Sequence, residues 1–378
     1  MSRICLHGYY GMGNLGDEAI LQALLRQFRD RHGLKTTVFS RNPGKVAEQY
    51  GVRSIHALSR RHLLKRIWNL KTAGLYALGG GGLLKDYGNS SSSLESWMHI
   101  FRLCKKLHVK TALCAVGVEN IHFPRTKTVL EQVLNQVDLL TVRDEDSKIL
   151  LKNIGIEKEI IVTSDPAILL AKGTPREIPG KGQPLKVTVC VRHWYDRGFF
   201  VADPAKNENL VKALSQALDF LVDNYNARID FIPMRTISYD DDREMAKKIL
   251  QHMKNKTKTS TELYSYSPSV DEFIRLVDQS TLIIGMRLHS LILGAASGIP
   301  VIALEYMPKV SAFMKSINQH DYSFQPGTVT KDDIIPAITK TFNSFHERSR
   351  FILNRVSTLK EITEETIARI VNTRKNNG

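Results

Sequence analysis

Two neighbouring stretches hold the residues best suited to chemistry. Arg287-Leu288-His289-Ser290 follows the apolar run 282–285 and opens a helix of small residues, and Lys309 takes the corresponding place after the next apolar run, 301–304. An imidazole titrates near neutrality and can deliver a proton. Guanidinium forks and ammonium groups hold carboxylate or phosphate oxygens, and the first turn of a helix adds backbone N–H donors. His289 and Lys309 are therefore expected to converge on one anion. A lone histidine is more often structural, but this one opens a helix between an arginine and a serine.

Three other stretches carry weaker signals. In Thr141-Val142-Arg143-Asp144, Arg143 ends an apolar run and is expected to grip a carboxylate or phosphate; the plainer alternative is an ion pair with Asp144 or Asp146. Gly11-Met12-Gly13-Asn14-Leu15-Gly16-Asp17-Glu18 matches a dinucleotide-binding glycine pattern, and Ser40-Arg41 could pass for a 2′-phosphate clamp. Two carboxylates in the first helical turn oppose a diphosphate there. They favour a neutral, hydroxyl-bearing ligand such as a sugar, with Asp17 either touching it, capping the helix, or both. Last, Gly79 to Gly82 follow the apolar run 74–78 and precede Asp86. Glycines there admit close approach to the backbone and expose N–H groups to an anion.

Such residues need strand ends to hold them. Strands are predicted at 3–7, 36–40, 74–78, 110–115, 139–142 and 160–162, then at 186–191, 228–232, 282–285 and 301–304, with helices such as 17–31 and 93–107 between them. That alternation predicts βαβ crossovers and parallel sheets. The Gly/Pro/Lys-rich passage at 172–184 interrupts the pattern. The predicted organisation is an α/β chain with two Rossmann-like parallel-sheet domains facing across a cleft. Residues 1–172 form the first domain, 173–185 a linker and 186–344 the second, and a helix over 345–378 is able to cross back to the first. Open α/β sheets bind ligands at the carboxyl ends of their strands, where all the motifs fall.

The chain has 378 residues and a formal net charge of +15, from 53 Lys+Arg and 38 Asp+Glu. That balance favours anionic partners. Zinc-finger spacing, an RNP-like aromatic pattern and a basic zipper are all missing, which argues against nucleic acid. No apolar run reaches membrane-spanning length, and the start reads as a strand and glycine turn rather than a secretory leader. The four cysteines lack paired spacing and suggest reduced thiols in a cytoplasmic protein, with no metal site.

GYYGMGNLGDEAIL, LGGGGLLKD, TVRDEDS, SDPA, VRHW and RLHS with the following YMPKV together resemble the polysaccharide pyruvyl transferase family, and within it the CsaB-type branch that acts on secondary cell-wall polymers. The resemblance covers most of the chain in the family's order. It implies a fold similar to the two-domain GT-B glycosyltransferases, phosphoenolpyruvate as donor substrate with no cofactor, and a cyclic pyruvate ketal as product. By position it places the catalytic group on His289, Lys309 and Arg143, with Asp17 near the acceptor. Substrate-binding candidates are Gly13, Asn14, Gly16, Gly80, Gly81, Gly82, Asp86, Arg192, Arg287, Leu288, Ser290, Glu305 and Tyr306. The family often has an acidic residue where Met307 stands and a proline where His193 stands, so the acceptor is expected to differ in detail.

In the expected chemistry, His289 protonates the donor's methylene carbon. Lys309, Arg143 and Arg287 neutralise its carboxylate and departing phosphate, and Asp17 orients the attacking hydroxyl. The expected acceptor is a lipid-linked amino-sugar glycan precursor, handled at the inner face of the plasma membrane. The basic stretch 60–71 reads either as an amphipathic helix on an anionic membrane or as a surface helix packing Leu64, Ile67 and Trp68 inward. Two rivals remain: a nucleotide-sugar glycosyltransferase, in which Glu305 would hold a ribose, and a non-catalytic glycan-binding protein. A dinucleotide enzyme ranks last.

Overall fold

The computed structural model describes residues 3–86, 92–180, 183–194, 203–255 and 261–374. It divides into two compact units, Met1–Ala167 with Leu359–Gly378, and Ile168–Thr358.

The first unit is built on seven parallel strands: β1 (Arg3–His7), β2 (Lys35–Ser40), β3 (Arg53–His56), β4 (Leu75–Leu84), β5 (Lys110–Val118), β6 (Leu139–Val142) and β7 (Ile160–Val162). Their spatial order is β3-β2-β1-β4-β5-β6-β7. The order reverses between β1 and β4, and such reversals open a crevice at the carboxyl edge. Helices α1 (Leu15–Leu25), α2 (Pro43–Tyr50), α3 (Leu63–Thr72), α4 (Ser92–Lys106), α5 (Pro124–Leu134) and α6 (Glu145–Asn153) make the crossovers. Strands β4 and β5 are buried along nearly their whole length, the pattern of a parallel sheet covered on both faces.

Several boundaries differ from the sequence reading. Strand β4 does not stop at residue 78; it runs on through the glycines, pairing Gly79 with Cys114, Gly81 with Val116 and Gly82 with Gly117 of β5. The predicted helix 17–31 changes at Arg26 into a π-helical segment, Arg26–Arg31. Strand β3 gives little sequence signal because RSIH is short and polar at three of its four positions.

The second unit holds six parallel strands in the order β12-β9-β8-β13-β14-β15. They are β8 (Lys186–Cys190), β9 (Arg228–Phe231), β12 (Thr261–Leu263), β13 (Leu282–Gly285), β14 (Val301–Leu304) and β15 (Ser323–Phe324). A small antiparallel hairpin, β10 (Thr236–Ile237) and β11 (Asp240–Asp241), projects after β9. The helices are α7 (Pro204–Tyr225), α8 (Asp242–His252), α9 (Val270–Asp278), α10 (Leu288–Ala296), α11 (Pro308–Ser316) and α12 (Lys331–Asn343). A long helix, α13 (Phe345–Thr373), starts in the second unit and ends in the first.

Residues 173–176, read from sequence as linker, are tied down within the second unit. Gly173 N donates to Ala296 O at 3.0 Å, and Arg176 N to Ser349 Oγ at 2.8 Å. Residues 181–182 of that passage lie outside the described residues. All four cysteines are free thiols and buried. Among the described residues no helix is long and apolar enough to cross a membrane.

Candidate functional site

At the carboxyl edge of the first sheet, the loop after β1 enters α1 through Asn14. Its side chain accepts from Gly16 N at 3.1 Å and caps the helix, so the cap is Asn14 and not Asp17. Asp17 sits one turn in, where the Asn14 amide donates to it at 2.6 Å. It lies against β4: a Cβ on Gly81 would come 3.1 Å from its Oδ1. Glu18 is turned into the fold, accepting from Gly11 N at 2.7 Å and Tyr50 OH at 2.9 Å, which fixes the glycine turn around Gly13. Ser40, the imagined phosphate clamp, instead donates to Tyr10 O at 2.8 Å and is fully buried.

The glycines of β4 mainly make room for protein. Gly80 has φ +66°, and a Cβ there would lie 2.0 Å from Ile20 Cγ2, so α1 packs directly on the strand. Gly82 makes similar room for Glu119. Asp86 is 1% exposed, and its two carboxylate oxygens accept from His122 N at 2.8 Å and Phe123 N at 2.9 Å, just before α5.

Arg143 follows the plainer of its two expectations. Its guanidinium is buried, donating to Glu119 Oε1 at 2.9 Å and to Asp144 Oδ2 at 3.1 Å. Burial alone would lower its pKa, but Glu119, Asp144 and Asp165 together raise it. Gly117 leaves the space this side chain fills, since a Cβ there would come 2.4 Å from Arg143 Cζ. Asp144 also caps α6, accepting from Ser147 N at 2.8 Å. Glu119, one residue past β5, was missed from sequence although its position at a strand end marks it.

At the carboxyl edge of the second sheet the charges gather differently. Arg287 donates through Nε to both oxygens of Asp242, at 3.1 and 3.0 Å, and through Nη2 to Asp240 at 3.1 Å and to Asp242. Asp242 also accepts from the backbone of Met234 and Arg235 at 3.0 and 3.1 Å. Asp240 is shared by three arginines, Arg287, Arg235 at 3.0 Å and Arg192 at 3.5 Å. Burial would raise its pKa; the three guanidiniums outweigh that and lower it.

Tyr306 stands at the centre of the remaining positive charge. The Arg192 guanidinium lies 4.9 Å from its ring centroid and Lys309 Nζ 5.6 Å. Burial alone would raise the phenol's pKa, yet Lys309, Arg192 and Arg287 pull it down to about 8. The cluster thus counts four cations (Arg192, Arg235, Arg287, Lys309) and two carboxylates (Asp240, Asp242).

His289, half-buried, and Lys309 occupy the same place in consecutive strand–helix units. Each is the second residue of its helix, α10 or α11, after the paired strands β13 and β14. A lysine in a first helical turn meets the helix's own positive end, an arrangement that favours an anion nearby. Leu288 and Ser290 are buried, and Ser290 Oγ donates to Arg287 O at 2.6 Å, so it shapes the turn. Glu305 is held by β15 and the residue after it, accepting from Ser323 Oγ and from Gln325 Nε2 at 2.7 Å. Met307 is the N-cap of α11, where an acidic side chain would serve as a helix cap. His193 contacts Glu244 at 2.9 Å.

The structure therefore brings together Arg192, Arg287, Tyr306 and Lys309, adds Arg235, Asp240 and Asp242, and leaves Asp86 and Ser290 in structural roles. Among the described residues no group of His, Cys, Asp or Glu is arranged to hold a metal ion.

The fold matches several solved structures. A Rickettsia africae glycosyltransferase aligns over 100% of both chains with a TM-score of 0.63 at 13% identity. Anabaena Alr3699/HepE, solved in complex with UDP, aligns over 99% of this chain and 100% of its own, with a TM-score of 0.63 at 13% identity. Staphylococcus aureus MnaA, a co-structure with UDP, covers 100% and 97% with a TM-score of 0.60 at 13% identity. These likenesses show a GT-B-like fold. No curated protein matches the chain by sequence. The sequence profile of polysaccharide pyruvyl transferases matches residues 14–307, well over half of the protein, and the chain belongs to that family.

Proposed function

We propose that this enzyme moves the pyruvyl group of phosphoenolpyruvate onto a sugar, forming a cyclic ketal across two hydroxyls and releasing phosphate. The observation that carries the reading is the surplus of positive charge around Tyr306, strong enough to reverse the effect of burial on a phenol. A small donor bearing both carboxylate and phosphate suits such a place, because fixed cations neutralise charge as it develops on the leaving group.

In the proposed sequence His289 gives a proton to the methylene carbon, turning it into a methyl group and leaving C2 electron-poor. One sugar hydroxyl adds to C2 and loses its proton. The C2–O bond to phosphate breaks, phosphate leaves with the bonding pair, and the second hydroxyl closes the ring and loses its own proton. Lys309, Arg192 and Arg287 hold the two anionic ends, with Arg287 fixed by Asp240 and Asp242. In the first unit Asp17 is assigned to the acceptor hydroxyl. Arg143 is assigned the task of holding Glu119 in place, a narrower role than the sequence suggested.

For the acceptor we propose a lipid-linked amino-sugar precursor of a secondary cell-wall polymer, handled in the cytoplasm as in the CsaB-type branch. The nucleotide-sugar reading draws on the UDP of two structural neighbours. Against it, Glu305, the residue that reading would place on a ribose, is engaged by Ser323 and Gln325.

The test is mass spectrometry of an amino-sugar-lipid acceptor incubated with phosphoenolpyruvate in heavy water. A pyruvate-ketal mass gain carrying one solvent deuteron, with matching phosphate release, is expected. His289→Ala should lower turnover by about 10²–10⁴-fold with donor affinity retained. A mass gain without deuterium, or wild-type turnover in His289→Ala, overturns the assigned proton donor. A melting shift with UDP and none with phosphoenolpyruvate overturns the donor.

A further inference from the structure

The stretch 53–72 holds six lysines and arginines (Arg53, Arg60, Arg61, Lys65, Arg66, Lys71) and no carboxylate. Of the two readings of 60–71, the one that packs Leu64, Ile67 and Trp68 inward fails at Leu64 and Trp68, while Ile67 is half-buried. Leu64 is 80% exposed, Trp68 50%, Leu63 41% and Leu58 40%, while the inward face of α3 is made by Asn69 and Leu70. Such a concentration of large apolar side chains on one short segment is unusual for a surface with no partner.

The segment is also held in shape. His56 Nδ1 accepts from the backbone of Leu58 and Ser59 at 3.2 and 3.1 Å. Arg66 donates to Ser59 O at 2.7 Å and His56 O at 3.3 Å, drawing the start of α3 onto the end of β3. The exposed leucines are thereby presented on a fixed turn. At the other end of the helix, the guanidiniums of Arg3 and Arg53 lie 5.5 and 5.3 Å from the Trp68 ring centroid. The same two arginines, with Arg29 and Lys35, line a cavity of 450 Å³ at the amino ends of β1, β2 and β3. Arg29 is paired with Asp30.

We infer that this face docks on an anionic phospholipid surface. Leucines and an indole enter the acyl boundary, the surrounding lysines and arginines meet lipid phosphates, and α3 lies in the plane of the interface. Charge complementarity selects this occupant: an apolar protein partner would not call for so many cations around the leucines. Helix α3 begins at the carboxyl edge of the first sheet, the edge that carries Asp17, and runs toward the amino ends of the strands, so the docked face spans both. The inference concerns a surface of the first unit and needs no donor.

It is tested by sedimenting the full chain, without phosphoenolpyruvate, with phosphatidylcholine vesicles that contain or lack phosphatidylglycerol. Wild type should pellet only with the anionic vesicles. Leu64→Ser with Trp68→Ser, and separately Arg60→Glu with Arg61→Glu and Lys65→Glu, should each lower the bound fraction about tenfold. Because these side chains are exposed, melting temperatures should not change. Equal binding to neutral vesicles, undiminished binding by either variant, or no wild-type binding (leaving the face to a protein partner) overturns the inference. Each of these results leaves the pyruvyl-transfer reading standing, since that is judged by product formation and donor binding and not by vesicle binding.

Discussion

At the carboxyl edge of the first sheet, carboxylates follow β1, β4, β5, β6 and β7: Asp17 and Glu18, Asp86, Glu119, Asp144, and Asp165. The arginine buried among them is bonded to two of them. At the same edge of the second sheet arginines follow β8, β9 and β13, a lysine follows β14, and two aspartates from the β11–α8 junction bridge the arginines. One architecture thus carries two electrostatic designs. The first holds its carboxylates on donors within its own loops, as the proposed acceptor role of Asp17 requires; the second gathers more cations than carboxylates, as the proposed anionic donor requires. The strand–helix units fix where side chains emerge, and the residue types placed there decide what is bound.

The strongest way to break this comparison is to remove one arginine from each edge. Arg143→Leu and Arg287→Leu each strand buried carboxylates and should each cost about 3–5 kcal/mol in denaturant unfolding. The rescues should differ. Arg143→Leu with Glu119→Leu should regain most of the stability and keep donor affinity. Arg287→Leu with Asp242→Leu should regain stability with donor affinity still lost. Equal loss of phosphoenolpyruvate affinity in the two double variants would erase the distinction.

A smaller effect sharpens it through His7, buried at the end of β1 with Nδ1 2.9 Å from Tyr76 OH. Burial, with help from Arg66 and Arg41, pulls its pKa from 6.5 to about 3. The unfolded chain therefore takes up the proton first. Stability from this residue is complete above about pH 6.5 and declines as pH falls toward 3, by about 2 kcal/mol between pH 7 and pH 5. His7→Gln should remove that part of the slope in pH-dependent unfolding. In the first unit burial sets this titration, whereas around Tyr306 the cations overrule burial.

The smallest effect is at Tyr306. If its phenol ionises at about 8, the tyrosinate opposes an anionic donor. Affinity for phosphoenolpyruvate should then fall by up to about tenfold per pH unit above that value, and Tyr306→Phe should flatten the fall. Calorimetric titration between about pH 7 and pH 9 measures it, and an unchanged alkaline limb in the variant would remove Tyr306 from the site.

Much of this was legible in the sequence because parallel strands buried on both faces announce themselves as apolar runs. Strands β1, β6, β7, β13 and β14 fall where those runs do. Glycine hides a strand, since it contributes no apolar side chain to the count, and so β4 looked half its length. Short, polar β3, β10, β11, β12 and β15 left no periodic trace. Among site residues, Arg287 and Lys309 stood out by their positions after strands. Their surroundings did not: Arg287 meets Asp242 across 45 residues of chain, a pairing that only the fold creates. The run Asp240-Asp241-Asp242 was a visible hint that strand-end motifs alone did not absorb.

The four thiols carry a practical consequence. Burial pushes Cys5 and Cys114 up to about 12 and raises Cys104 and Cys190 as well, so almost none of their sulfur is thiolate at neutral pH. Native protein should ignore maleimides and mild oxidants. A single cysteine introduced at an exposed position would then be the one reactive handle for a fluorophore or spin label, with no native residue needing replacement first.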